Sequence, residues 1–368
     1  MIDMGVLPVY ALNMSIVEVA KMAGVSHATV SRVINGGEGV SPKSVQRVTK
    51  AMQQLGYTPP VVRRGPQPRS RRKQRTGNIA VLLFGTDPSM ALASITAAVV
   101  HGAESALAES GYNMILSQIG DERRLPPNVT SGNVDGLLLH GFPPSRDLAQ
   151  KLSCNPCVWF LSRRSRLGYW GDRVGPDNEA IGTMALDYLK ERGHKQVAFL
   201  HVNSCHMGFS QRAESFEAAA HEAGLGVDVL VDGNVTNLMD LKEELDQQRI
   251  GNMIDRLLEL PNRPTGVFVP RASLMALVYR SLYQRGITPG KDMQFIACDY
   301  HPMLDGLFPV PATIDIQPEI VGRQAVKQLL WRMDHPRDLV RADIQVQPRL
   351  IEGQDADMYQ NENAVKST

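Results

Sequence analysis

Apolar residues recur every three or four positions in three short stretches near the start of the chain. Ile16, Val19, Ala20 and Met22 predict a helix from about Ser15 to Ala23, with Val30, Val33 and Ile34 marking a second from His27. Val45, Val48, Met52 and Leu55 predict a third, opened by Ser41-Pro42 and closed by Gly56. Ser15 with Glu18 reads as a capping box, and Gly24 reads as a stop after the first helix. Two short helices about a tight turn, braced by a third, predict a helix-turn-helix head over residues 14–58. From Gly77 the period changes. Runs such as NIAVLLF, VDGLLLHG, QVAFLHV, TGVFVP and MQFIACD alternate with amphipathic stretches such as NEAIGTMALDYLKERG. That alternation predicts an α/β body with parallel sheets. There are too many units for one small sheet, so two lobes with a cleft between them are expected, ligands binding at strand C-terminal ends.

Charge is unevenly distributed along the chain. The whole chain carries a net +1, but residues 1–76 hold twelve Lys/Arg and three acids, leaving +9 at the front and −8 behind. A basic head on an acidic body suits a polyanion-binding module joined to something else. The second helix explains its own composition on this reading. Its N-terminal residues, His27 and Ala28, would meet base edges in a major groove. Ser26, Thr29 and Ser31 are short donors suited to phosphates, and Arg32 can reach phosphate or guanine. The plain alternative is a helical bundle with a solvated polar face. Residues 59–76, PPVVRRGPQPRSRRKQRT, are basic and rich in Pro, which predicts either a strap over phosphates, with Arg63 and Arg64 in contact, or a solvated linker.

The run AGVS-x-x-TVSRV-x-N, followed by VS and LGY-x-P, resembles the DNA-binding head of the lactose-repressor (LacI/GalR) family. The resemblance implies a repressor, an operator of near-palindromic duplex DNA, and a homodimer. It places His27 and Ala28 as base readers, with Thr29, Ser31, Arg32 and Asn35 at backbone- or base-contacting positions. It implies a periplasmic-binding-protein-like body, with a first lobe over residues 77–193 and 303–333 and a second over 194–302 and 334–355. Apart from the resemblance, residues 1–13 precede the first organised stretch and are read as an extension, and the polar composition of 356–368 predicts a disordered tail. By the same resemblance Asp177, Arg212 and Asp299 line an effector cleft, for a sugar, a sugar phosphate or another anion. The family often carries Asn-Asp where this chain has Arg271-Ala272. The second cation favours an anionic effector, or else pairs with Asp299. The linker departs from the family's hinge pattern, with Pro60, Arg63 and Pro66 where Asn, Ala and Leu are usual.

Several classes are not expected. No apolar run reaches ~18 residues, so no membrane span is predicted, and a cytoplasmic setting suits four cysteines with no disulfide framework. Neither Cys154-x-x-Cys157 nor the gathering of His201, Cys205 and His206 has a metal-site spacing, so no metal and no cofactor is expected. No catalytic template is met, and an enzyme is not expected. The rival function is a ligand-responsive binding or scaffold protein that touches DNA without sequence preference.

Overall fold

The computed structural model describes residues 15–34, 40–57, 75–84, 94–120, 125–162, 168–201, 206–232 and 243–354. The chain divides into two compact units, residues 1–73 and 74–368.

In the first unit, α1 (Ile16–Ala23), α2 (His27–Ile34) and α3 (Pro42–Leu55) enclose a small core. Val19, Ala20, Ala23, Val30, Val48 and Ala51 are buried there, with Ile16, Val33, Met52 and Leu55 at its edge. Caps hold these short helices. The Ser15 N–H donates to Glu18 Oε2 at 2.7 Å, and the Ser44 N–H to Ser41 Oγ at 3.3 Å. Gly24 takes a left-handed conformation (φ 62°), and the next N–H, of Val25, returns to the Ala20 carbonyl at 3.1 Å. An L side chain there would be strained and would collide with the Arg47 guanidinium, which donates to the Gly24 carbonyl. Two expected core residues lie outside this core. Met22 is 50% exposed, turned away from the stripe of Val19, Ala20 and Ala23, and Val45 is exposed one turn before the core begins.

In the second unit two six-stranded sheets carry the chain. The first contains β1 (Asn78–Phe84), β2 (Asn113–Ile119), β3 (Gly136–Gly141), β4 (Cys157–Phe160), β5 (Asp172–Pro176) and β11 (Asp343–Val346). Their order is β11-β5-β4-β3-β1-β2, and every pairing is parallel. The second contains β6 (Gln196–His201), β7 (Gly226–Val231), β8 (Gly266–Val269), β9 (Gln294–Cys298), β10 (Ala312–Asp315) and β12 (Arg349–Ile351), in the order β12-β10-β9-β8-β6-β7. Only β12 runs antiparallel, against β10. The runs VLL, LLL and VFV are buried on both faces because helices cover both faces.

Helices α4 (Ser94–Glu109) and α11 (Pro318–Asp334) pack on the first sheet, α7 (Asn178–Glu191) and α8 (Met207–Glu222) on the second. α4 and α11 approach closely because Gly102 faces the Glu319 backbone and Gly322 faces that of Val99; a Cβ at either position would overlap a carbonyl oxygen. The Pro126-Pro127 crossover forms only one helical turn, α5 (Pro127–Thr130). Between β3 and β4 lies α6 (Arg146–Leu152), while α9 (Glu243–Leu258) and α10 (Met275–Tyr283) complete the second lobe.

The lobe boundaries differ from those expected. The chain changes sheets after β5, after β10 and after β11, so α7 and β10 belong to the second lobe and β11 to the first. Residues 178–193 and 312–315 therefore leave the first lobe, and 343–346 joins it. The physical reason is hydrogen bonding: β10 pairs with β9, and β11 with β5.

Candidate DNA-binding surface and effector cleft

The polar surface of α2 follows from its pitch. Val30, Val33 and Ile34 turn to the head core, which leaves His27, Ala28 and Arg32 exposed on the opposite side, with Ser31 between them. Ser26 begins the helix: its Oγ accepts from the Thr29 N–H at 3.2 Å and lies 2.9 Å from Thr29 Oγ1. Thr29 is thus partly spent on the cap. Lys21, Lys43 and Lys50 are also exposed on this unit. Asn35, Arg63 and Arg64 lie outside the described residues, as do most of the linker and the tail.

In the body, α8 brings Arg212 beneath the C-terminal ends of β8 and β9. Its guanidinium is 4% exposed and is held by three elements. Nε donates to Asn178 Oδ1 at 3.0 Å, Nη1 to the Pro270 carbonyl at 2.8 Å and Nη2 to Asp299 Oδ1 at 3.1 Å. Burial works against the Arg212 charge, and the neighbouring Asp299 carboxylate outweighs it, so the pKa rises. Asp299 itself sits at φ 67°, a left-handed position uncommon for a residue with a side chain. Burial also pushes the adjacent Cys298 thiol well above its ordinary range. Arg212 and Asp299 therefore form a largely buried ion pair.

Arg271 begins the short 3₁₀ turn Ala272–Leu274 after β8 and is half-buried. Among the described residues it has no acidic partner, so it does not pair with Asp299. Asp177 is occupied differently. Its Oδ1 caps α7 by accepting from the Ala180 N–H at 2.9 Å, and its Oδ2 accepts from Gln347 Nε2 at 2.9 Å. Gln317 Nε2 donates to the Gln347 carbonyl at 2.7 Å, so the three sheet-changing segments are tied to one another at Asp177, Gln317 and Gln347. Asn178, next to Asp177, is the residue that reaches Arg212. The sequence reading missed it, although it stands in the same GPDN stretch.

Cys154 is exposed, Cys157 is buried, and burial pushes the Cys157 thiol up to about 12. Neither thiol is bridged. Among the described residues no group of His, Cys, Asp and Glu could hold a metal ion, and no helix is long and apolar enough to cross a membrane. His206 caps α8, its Nδ1 accepting from the Phe209 N–H, and His301 caps the 3₁₀ turn Pro302–Gly306. Cys205 lies outside the described residues.

A helix-turn-helix unit joined to a two-lobed α/β body is the build of a ligand-responsive DNA-binding regulator. The comparisons agree. Residues 15–60 match the lacI family of bacterial regulatory proteins, and residues 186–354 match the periplasmic binding protein-like domain. The ribose operon repressor of Escherichia coli K12 is 30% identical over 346 residues, spanning 91% of this chain and 97% of that protein. The HTH-type transcriptional repressor PurR of Vibrio cholerae is 26% identical, over 92% and 96%. A crystal structure of the lac repressor dimer bound to operator and the anti-inducer ONPF shares the fold, with a TM-score of 0.61 and 18% identity, covering 94% of this chain and 99% of that one. The chain belongs to the LacI family. It is a DNA-binding transcriptional repressor with a ligand-binding body, and not an enzyme.

Proposed function

We propose that this repressor works in the cytoplasm as a homodimer on a near-palindromic operator, read by the exposed face of α2. His27 and Ala28 meet base edges, Arg32 reaches guanine or phosphate, and Ser26, Thr29, Ser31 and Asn35 hold the backbone. Arg63 and Arg64 add phosphate contacts from the linker. The observation that carries this reading is the division of α2. Its apolar side is consumed by the head core, while His27, Ala28 and Arg32 stay in solvent. Two such helices in a dimer would enter major grooves about 34 Å apart. The test is selection of bound sequences from a random duplex pool by the full chain. The expected result is a two-fold symmetric consensus, bound about 10³-fold or more tighter than random duplex. Equal affinity for both would support the scaffold reading instead.

The dimer has a candidate face on the second lobe. Tyr283, Phe308 and Met303 are exposed large apolar residues, and a groove of about 620 Å³ runs between Tyr279, Tyr283, Leu307 and Phe308. Phe308→Asp is expected to shift the chain from dimer to monomer in sedimentation experiments at micromolar concentration. An unchanged dimer would place the interface elsewhere.

For the effector, we propose a small anion or an anionic sugar derivative in the cleft by Arg212, Arg271 and Asp299. Arg212 is largely committed to holding Asn178, Pro270 and Asp299 in place. Arg271, with no acidic partner among the described residues, supplies the uncompensated charge. Asp177 contributes by fixing the segment that carries Asn178. A phosphorylated sugar is expected to raise the melting temperature, and Arg271→Ala to remove that increase. A larger increase with the uncharged sugar than with its phosphate would contradict the anionic assignment.

A further inference from the structure

The last turn of α11 leads into a surface loop, residues 335–342, with the sequence HPRDLVRA. The loop is held from beneath. Arg332 Nη1 donates to the Asp338 carbonyl and Nη2 to the Val340 carbonyl, at 2.5 and 2.6 Å. The Val340 N–H donates to Asp338 Oδ1 at 2.9 Å, and the Ala342 N–H to buried Asp172 at 2.9 Å. This fixed base carries an exposed apolar tip: Leu339 is 91% exposed and Val340 76%. Arg337 and Arg341 flank the tip, both exposed. Among the described residues neither has an acidic partner. The acids of the stretch are engaged elsewhere, Asp338 with the loop's own backbone and Asp334 with Arg75.

The place of the loop in the body matters as much as its composition. Arg75, where the basic linker joins the body, donates to Asp334, the last residue of α11. The loop therefore stands beside the point to which the head is tethered. A span of 18 residues, 59–76, reaches at most about 65 Å. A body surface on so short a tether meets bound duplex at a high effective concentration, so a weak contact suffices.

We propose that the 335–342 loop is a second DNA contact, made by the body rather than the head. Arg337 and Arg341 bind phosphates on either side of a minor groove, and Leu339 and Val340 press against the sugar edges and base step between them. Apolar side chains flanked by arginines suit that groove, whose walls are phosphate and whose floor is largely apolar. An uncompensated arginine pair on a body that otherwise carries net negative charge fits a polyanion better than a neutral protein surface.

The test uses the full chain, the operator obtained by selection, and anisotropy measurements over a salt series. In the double variant R337A/R341A, which removes four arginines from a dimer, the slope of log affinity against log salt is expected to fall by about 4, and affinity at low salt at least tenfold. L339S is expected to weaken binding several-fold with the slope unchanged. Arg332 and Asp338 stay intact, so the loop keeps its base, and melting temperatures should match that of the parent. R337E/R341E should exceed the alanine pair in its effect. Parental affinity and slope in R337A/R341A and R337E/R341E would overturn the proposal. So would a loss confined to association between protein copies, which would assign the loop to a protein partner. The inference rests on operator binding by the head, and the two fail differently. Without that binding the parent chain itself would show no preference for operator.

Discussion

Replacing Asp172 with alanine is expected to cost about 3–5 kcal/mol of stability, enough to unfold a marginally stable body. Asp172 is fully buried at the start of β5. Arg332 binds it with two nitrogens, Nη2 to Oδ1 at 2.7 Å and Nε to Oδ2 at 2.9 Å. Gln328 Nε2 and the Ala342 N–H complete the set at 2.7 and 2.9 Å. One carboxylate thereby joins α11, β5 and the segment entering β11. Removing it strands the Arg332 charge and an N–H donor in a low-dielectric site. Burial alone would raise the Asp172 pKa, but the hydrogen bonds from Arg332, Gln328 and Ala342 outweigh it and hold the carboxyl below the usual range. A lowered folded-state pKa stabilises the protein above the unfolded value near 4, and that contribution is lost as pH falls through the folded value. Thermal unfolding should therefore show a destabilisation below pH 4 in the parent that is much reduced in Asp172→Ala. Equal acid sensitivity in both would contradict this assignment.

The second large effect concerns specificity. A correct side-chain pairing to a base edge discriminates by about 1–3 kcal/mol, and a symmetric dimer makes each contact twice. Substituting both His27 and Ala28 is therefore expected to change relative affinities by 10²-fold or more at the base pairs they face. Stability should hardly move, because both residues are solvent-exposed and contribute nothing to the head core. Arg32→Ala should act differently if it is a phosphate contact, weakening all duplexes alike and, with two copies lost per dimer, lowering the salt slope by about 2.

The head was legible in the sequence because its determinants are local. Ser15 with Glu18, Ser26, Ser41-Pro42, Gly24 and Gly56 each fix a helix end within a few residues, and each is found where its chemistry requires. Met22 and Val45 were misplaced because an eight-residue helix, or the first turn of a longer one, has too few apolar positions to define a narrow stripe. The alternating body was legible for the same reason, through short runs such as LLL and VFV. Its lobe boundaries were not. The short strand β10 carries no local pattern that separates it from a first-lobe strand, and only its pairing with β9 assigns it. Asp172 and Arg332 are 160 positions apart in the chain, and no local pattern links them. The resemblance named Arg212 and Asp299, which the structure joins as an ion pair. It could not show that Asp177 is spent on a helix cap and on Gln347, or that Asn178 takes its place beside Arg212.

On the proposed function, the outward side of α2 chooses the DNA sequence. The most direct measurement is parallel selection from one random duplex pool with the parent chain and a variant carrying a different residue pair at 27 and 28. The expected result is two symmetric consensus sequences that differ at the base pairs facing those residues and agree elsewhere. The same consensus from both proteins would contradict it.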